Sequence, residues 1–200
     1  MRVITGTFGG NRNRAPLEPT LHTARLVLRP LEVGDRRAIT EYLCDRDVSR
    51  WLVRVPFPYR LVDADAFIEQ CRITGRMGTA LTLGLTLPND PEARIFGVVA
   101  LHSLDMEPEF GFWLAQPFWG RGLMSEAAEA LLAFAYANLP IDTVISGAFA
   151  GNQASLAIQA RQGFKVIGQS RKLSLAEGVM LDHVDTSLDR AAHAGRQPRP

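Results

Sequence analysis

Strand and helix signals that alternate along 200 residues predict a mixed α/β (α+β) domain, with one mostly antiparallel central sheet flanked by helices. Three observations carry this expectation. Segments with strand character recur at 26–30, 79–87, 94–104, 109–115, 143–149 and 179–188. Runs of helical period separate them at 35–43, 63–71, 125–138 and 152–162. The middle of the chain gives three strands with only turns between them, a meander, and then a strand, loop, helix, strand crossover.

The first strand rests on the alternation of Leu26, Leu28 and Pro30 with Arg25, Val27 and Arg29, and ends at the proline. Asp35 is placed to cap a helix reaching about Leu43, and Asp63 to cap another in which Ala64, Phe67, Ile68 and Cys71 share a face. Leucines at 81, 83, 85 and 87 mark the next strand, and Pro88-Asn89-Asp90-Pro91 is a turn that cannot continue it. Ile95, Val98, Val99 and Leu101 mark a more buried strand, and Glu109 to Ala115 a third. Apolar residues at 127, 128, 131, 134 and 135 give the helix from Ser125 to Asn138 its inner face. Thr143–Phe149, Asn152–Gln162 and Val179–Leu188 complete the series as strand, helix and strand.

With 46% hydrophobic and 22% charged residues the chain reads as one domain, 21–190, between a flexible N-terminal arm (1–20) and a disordered C-terminal tail (191–200). The formal net charge of +1 excludes a polybasic nucleic-acid binder as the default. It conceals an uneven distribution: the first 20 residues carry +2, residues 190–200 carry +3, and the 169 between them carry −4. The longest apolar run, Ala130–Ala137, is eight residues against the roughly 20 a membrane span needs. No secretory signal is visible at the start, so a cytoplasmic protein is expected, with Cys44 and Cys71 as buried thiols. His22, His102, His183 and His193 lack ligand spacing, so no metal is expected. Phe118, Trp119 and Phe134 are not interleaved with basic residues on a strand face, and they read as packing rather than as a nucleic-acid platform.

The segment from Gly111 to Ala127 carries the chemistry. A strand delivers the chain to Trp119-Gly120-Arg121-Gly122-Leu123-Met124-Ser125, a loop with two glycines that opens directly into a helix. Glycine allows close backbone approach, and the first N–H groups of a helix have no partner within it, so the geometry suits a pyrophosphate. A P-loop is excluded because the only lysines, Lys165 and Lys172, do not follow a glycine. A dinucleotide fingerprint fails because Ser125 stands where the third glycine belongs and Asp142 precedes the next strand instead of ending it.

This segment resembles motif A of the GNAT N-acetyltransferases, in the Trp-Gly-x-Gly-x-x-Ser-Glu-Ala form of the Rim-type ribosomal-protein branch. It departs from the superfamily pattern at Trp119 and Met124, and the tryptophan is usual in that branch. The likeness extends to Leu26-Val27-Leu28-Arg29-Pro30-Leu31 with Asp35, to Gly111-Phe112-Trp113-Leu114, to Asn152-x-x-Ser155 with Gly163-Phe164, and to Asp182-His183-Val184. It implies a GNAT fold whose sheet splays at the acetyl-CoA site. The backbone of Trp113, Leu114 and Ala115 would meet the pantetheine arm. Trp119, Gly120, Arg121, Gly122, Leu123, Met124 and Ser125 would hold the pyrophosphate, and Asn152 would anchor the cofactor or cap its helix.

Acetyl transfer needs a neutral amine, a polarised thioester and a proton for the thiolate. Roughly a tenth of an α-amine is neutral at pH 7, against about one part in a few thousand for a lysine side chain, so an α-amine asks less of a base. Glu109, on the strand before motif A, is the candidate base, with Asp105, Glu107 and His102 as alternatives. The tyrosine that many GNAT enzymes use as acid is replaced by Gln159; the resemblance to Rim-type relatives, which offer the serine of Asn-x-x-Ser instead, implies Ser155 as the candidate proton donor. The aromatic, proline-broken stretch Trp51–Tyr59 is expected to border the acceptor groove. The resulting expectation is an acetyl-CoA-dependent N-acetyltransferase with a protein N-terminal α-amine as acceptor, without direct nucleic-acid or membrane binding and compatible with a homodimer. A small-molecule or antibiotic amine, or a non-catalytic CoA-binding module, are the alternatives.

Overall fold

The computed structural model describes residues 15–195. Eight strands form one sheet: β1 (Leu21–His22), β2 (Val27–Pro30), β3 (Leu81–Thr86), β4 (Gly97–His102), β5 (Glu109–Leu114), β6 (Thr143–Phe149), β7 (Lys165–Ser174) and β8 (Val179–Asp189). Their spatial order is β1-β2-β3-β4-β5-β6-β8-β7. Every neighbouring pair is antiparallel except β5 and β6, which are parallel and register at Glu109 opposite Ile145 alone. Beyond that point the two strands part. The helices are α1 (Arg36–Leu43), α2 (Arg46–Ser49), α3 (Leu61–Arg76), α4 (Leu123–Asn138), α5 (Gln153–Arg161) and α6 (Arg190–Ala194).

Strand alternation sends side chains to two cores. Leu81, Leu83, Leu85, Leu101 and Phe110 pack with Ala127, Leu131 and Ala135 of α4 on one face. Val98 and Trp113 pack with Ile39, Leu43, Ala64 and Ile68 of α1 and α3 on the other. The sheet is thus covered on both sides where the parallel pair opens, and the opening lies between the two layers.

Several boundaries differ from expectation for identifiable reasons. The α3 helix starts at Leu61, because Asp63 serves as its third residue and accepts the Arg60 N–H at 2.9 Å. The Asp35 carboxylate makes no side-chain cap to α1; it is buried, accepts the Glu32 N–H at 2.7 Å and receives both Arg29 guanidinium nitrogens at 2.8 and 2.9 Å. The α4 helix begins at Leu123, with left-handed Gly122 as its cap. Neither α2 nor β7 was anticipated. Of the two thiols expected to be buried, Cys44 is exposed and Cys71 half-buried, where burial pushes the Cys71 pKa up to about 11.

The expected arm lies outside the described residues over 1–14, but Leu17 donates its N–H to Gly75 and packs on the core. The expected tail lies outside them from 196, while its first residues form α6, capped by Asp189. There Arg190 is a structural cation. Its guanidinium donates to the carbonyls of Tyr136, Leu139 and Ile141, closing the carboxyl end of α4, and His193 stacks on Tyr136.

Candidate active site

One continuous cleft of about 1240 Å³ crosses the opening between β5 and β6. It runs from the start of α4, past Ser146 and Ser155, to a wall made by the 51–59 stretch and α3. The expected loops therefore meet in one place. Trp51 lies against Gly151, where an added Cβ would stand 3.2 Å from its ring, and Leu175 at the β7–β8 turn donates to the Val53 carbonyl. The aromatic stretch is held down from two sides and borders the cleft as expected.

At the α4 end, Gly120 and Gly122 adopt φ of +73° and +75°. No neighbour would meet a Cβ on Gly120, and the nearest to one on Gly122 is Arg25 Nη2 at 3.6 Å, so both positions require glycine for backbone conformation rather than for space. The turn aims the first free N–H groups of α4, those of Leu123, Met124 and Ser125, at the cleft; the ladder starts with Glu126 N–H on the Gly122 carbonyl. The Met124 side chain is buried in the α4 core, so its bulk is turned away from these donors. Trp119 locks the loop by donating its indole N–H to the Leu114 carbonyl at 2.7 Å. Arg121 is exposed, with its guanidinium over the Phe118 ring.

A second clamp had no signal in the sequence. The Arg25 guanidinium bonds the Glu126 carboxylate at 2.6 Å and the Arg121 carbonyl at 2.9 Å, while Thr23 Oγ1 donates to the same carboxylate. Burial pushes the Glu126 pKa up, but the bonds from Thr23 and Arg25 outweigh it and hold it below the usual range. The Arg25 guanidinium, ion-paired with Glu126, is thereby fixed beside Gly122.

Along β5 the alternation of peptide groups decides what a ligand can reach. Ala115 donates to Phe96 and its carbonyl accepts from Phe118, so it is spent; by the same parity the Trp113 peptide faces β4. The carbonyls of Phe110 and Leu114 accept from Ser146 Oγ and Trp119 instead, on the β6 side. The edge groups left for an extended ligand are the Phe112 peptide and the Leu114 N–H. Of the expected trio only Leu114 presents a group there, and Phe112, which sequence reasoning did not single out, presents two.

At α5, Asn152 caps the helix by accepting the Ser155 N–H at 3.1 Å, which leaves its amide N–H₂ unused by the cap. Gln159, in the position of the expected but missing tyrosine, is almost fully buried. Its amide donates to the Gly147 carbonyl at 3.0 Å and to Ser155 Oγ at 3.4 Å, and its carbonyl accepts from Thr186 at 2.6 Å. Ser155 Oγ accepts this hydrogen bond, keeps its own hydrogen to donate, and lines the cleft.

At the opposite end of the cleft, Glu109 pairs with Arg54 at 2.5 Å, opposite His102 on β4. Burial, with Arg54 adding to it, lowers the His102 pKa despite Glu109. Asp63 and Asp105 line the same end. Also in the wall is His183, whose Nδ1 lies 2.8 Å from Asp185 Oδ1. No grouping of three His, Cys, Asp or Glu suited to a metal occurs among the described residues. Among them, no helix is long and apolar enough to cross a membrane.

Residues 25–165 match the profile of the acetyltransferase (GNAT) domain family. Among related sequences, "Uncharacterized N-acetyltransferase p20" of Bacillus licheniformis is 25% identical over 88% of this chain and 99% of its own. "Putative ribosomal N-acetyltransferase YdaF" of Bacillus subtilis (strain 168) is 27% identical over 82% of this chain and 90% of its own. Among solved structures, the ribosomal-protein-S5-alanine acetyltransferase from Vibrio fischeri superposes with a TM-score of 0.75 at 17% identity, over 86% of this chain and 97% of that one. That last likeness is one of fold.

Proposed function

The chain belongs to the GNAT acetyltransferase family, and on that premise we propose that it transfers the acetyl group of acetyl-CoA to the α-amine of a protein N-terminus. Its activity as an acetyl-CoA-dependent N-acetyltransferase follows from the family; the acceptor and the residue roles are the reading advanced here. The fit of the cosubstrate rests on the free N–H groups of Leu123 to Ser125, the cations Arg25 and Arg121, and the open peptide groups at 112 and 114. In this reading Leu123, Met124 and Ser125 bind the pyrophosphate, Phe112 and Leu114 orient the pantetheine arm, and Asn152 offers its amide N–H₂ to the ligand. Ser155 donates its hydroxyl hydrogen to the departing thiolate, with Gln159 holding the oxygen in place.

The observation that carries the α-amine acceptor is the set of bases in the cleft. Glu109 is neutralised by Arg54, and the histidines in the wall are held neutral by burial. Such groups suit an α-amine, of which roughly a tenth is already neutral at pH 7, better than a lysine side chain, neutral at about one part in a few thousand. The similarity to a relative described as a ribosomal N-acetyltransferase supports the same reading, and a cytoplasmic location is part of the proposal.

A coupled thiol-release assay tests it, using acetyl-CoA with peptides beginning in Ala, Ser or Met, the same peptides N-formylated but carrying an internal lysine, and small aromatic and aliphatic amines. Turnover is expected on the free N-termini and absent from the blocked peptides. Turnover confined to the small amines would replace the protein acceptor by a metabolite. Tight acetyl-CoA binding without turnover on any probe would make the protein a binding module.

A further inference from the structure

We propose that His183 is the proton acceptor for the attacking amine, oriented by Asp185. The proposal rests on the acetyl-transfer reading above and names a residue on the closing strand in place of Glu109.

The argument begins with placement. Phe149, Gly147 and Ile145 of β6 and His183 and Asp185 of β8 lie on the sheet face shared with Glu109 and Trp113, the face covered by α1 and α3. His183 forms part of the cleft wall on the far side of the β5–β6 opening, with only 3% of its side chain exposed. Its ring sits directly on Gly147: a Cβ there would stand 2.3 Å from Cε1 and 3.1 Å from Nδ1. Gly147 is thus the space that allows an imidazole to lie against the backbone at the opening.

The ring's tautomer follows from its partner. Asp185 also accepts from Ser170 Oγ at 3.1 Å, and although burial pushes its pKa up, the bonds from Ser170 and His183 outweigh it and keep the carboxyl ionised. An ionised carboxylate can only accept, so Nδ1 carries the hydrogen and Nε2 keeps a lone pair. The charged groups that act on the ring are Lys172 on β7, Asp185 on its own strand and Glu109 on β5. Burial, with Lys172 adding to it, lowers the pKa of His183 against the opposing pull of Asp185 and Glu109, so the base is unprotonated at neutral pH. Glu109, with Arg54 on its carboxylate, lacks that freedom.

The step balances as follows. The neutral amine nitrogen forms a bond to the thioester carbonyl carbon, and its excess proton passes to Nε2 of His183, giving an imidazolium facing Asp185. The carbon–sulfur bond then breaks. The thiolate takes the hydroxyl hydrogen of Ser155, whose proton is restored from the imidazolium through water. Amide and free thiol are the only products, and both residues return to their starting states.

The test compares the full-length wild type with His183→Gln, His183→Ala, Asp185→Asn, His102→Gln and Glu109→Gln, on a hexapeptide with a free N-terminal alanine and on the same series beginning with serine and methionine. His183→Gln is expected to lower kcat/KM about 10²- to 10³-fold with acetyl-CoA affinity by calorimetry within twofold, and to abolish the acidic limb of the pH profile. Added imidazole restores rate to His183→Ala, and Asp185→Asn moves the acidic limb. In the ligand-free protein, long-range ¹H–¹⁵N spectra should show an unprotonated Nε2 and a protonated Nδ1 for His183 at pH 7.5. The His183 assignment falls alone if wild type acetylates a probe while His183→Gln keeps the acidic limb, or if His102→Gln or Glu109→Gln removes it. It also falls if Nε2 carries the proton. If wild type binds acetyl-CoA and acetylates none of the probes, the transfer reading falls and takes the assignment with it.

Discussion

Replacing Gly122 by alanine tests whether the backbone turn at the start of α4, rather than any side chain, makes the anion site. The position holds φ = +75°, and the closest atom to a new Cβ is Arg25 Nη2 at 3.6 Å, an ordinary contact. The cost is therefore conformational, about 1–2 kcal/mol for an L-residue held left-handed. The loop cannot relax freely, because Trp119 is bonded to the Leu114 carbonyl on one side and Arg25 to the Arg121 carbonyl on the other. If the turn survives in the free protein, the strain appears in stability, as a fall in Tm of about 2–8 °C for a domain of this size. If the free loop escapes the strain, ligand binding must restore the turn, and the same energy appears as a roughly 5- to 30-fold weaker acetyl-CoA Kd. Thermal unfolding and calorimetric titration together recover the sum. A variant unchanged in both Tm and Kd would refute the claim that this turn is required.

Other perturbations separate the remaining parts. Gln159→Leu leaves the Gly147 carbonyl and the Thr186 hydroxyl without their partner, at about 1–3 kcal/mol each, so unfolding should begin roughly 5–15 °C lower, and Ser155 loses its donor; an unchanged Tm would deny the network. Arg25→Ala should cost under about 1 kcal/mol in stability, since its side chain is half exposed, yet weaken acetyl-CoA several-fold at low salt and less at 0.5 M; equal weakening at both would exclude a charge effect. His102 and His183 both have folded pKa values below their ordinary 6.5, so the unfolded chain binds more protons as pH falls through 6.5, and stability should drop there and level off below the folded values. Denaturant titrations from pH 8 to 5 should show that drop in wild type and a smaller one in His183→Gln.

What could be read from the sequence is what local chain chemistry enforces. Two glycines before a helical run favour a tight turn that leads into the helix, and Asn152 three residues before Ser155 favours a cap, so the glycine turn before α4 and the start of α5 were legible. The β7 strand was not, because it lies at the sheet edge with most of its residues at least partly exposed, and the residue types of Lys165–Ser174 do not alternate between apolar and polar even though their burial alternates from Ile167 onward. The Arg25–Glu126 clamp joins residues 101 apart, and the His183–Asp185–Ser170 group exists because β7 and β8 pair. Parity along β5 was legible in its side chains, but which peptide groups stay open depended on Trp119 folding back onto Leu114.

The near-neutral net charge conceals two opposed local fields in one cleft. At the α4 end, the free N–H groups and helix dipole join Arg25 and Arg121 to favour an anion. At the other, Asp63, Asp105 and Glu109 outnumber Arg54, and this end favours a cation. In the proposed function acetyl-CoA would bring its phosphates to the first, and an amine would arrive as ammonium at the second. Before the amine can attack it must shed a proton, and a cluster of carboxylates alone would oppose that loss by holding the ammonium. A neutral imidazole beyond the carboxylates, close to the opening where the thioester would lie, resolves the conflict: the acids gather the ammonium and His183 takes the proton. Glu109→Gln should accordingly raise KM for the peptide more than it lowers kcat, whereas His183→Gln should do the reverse.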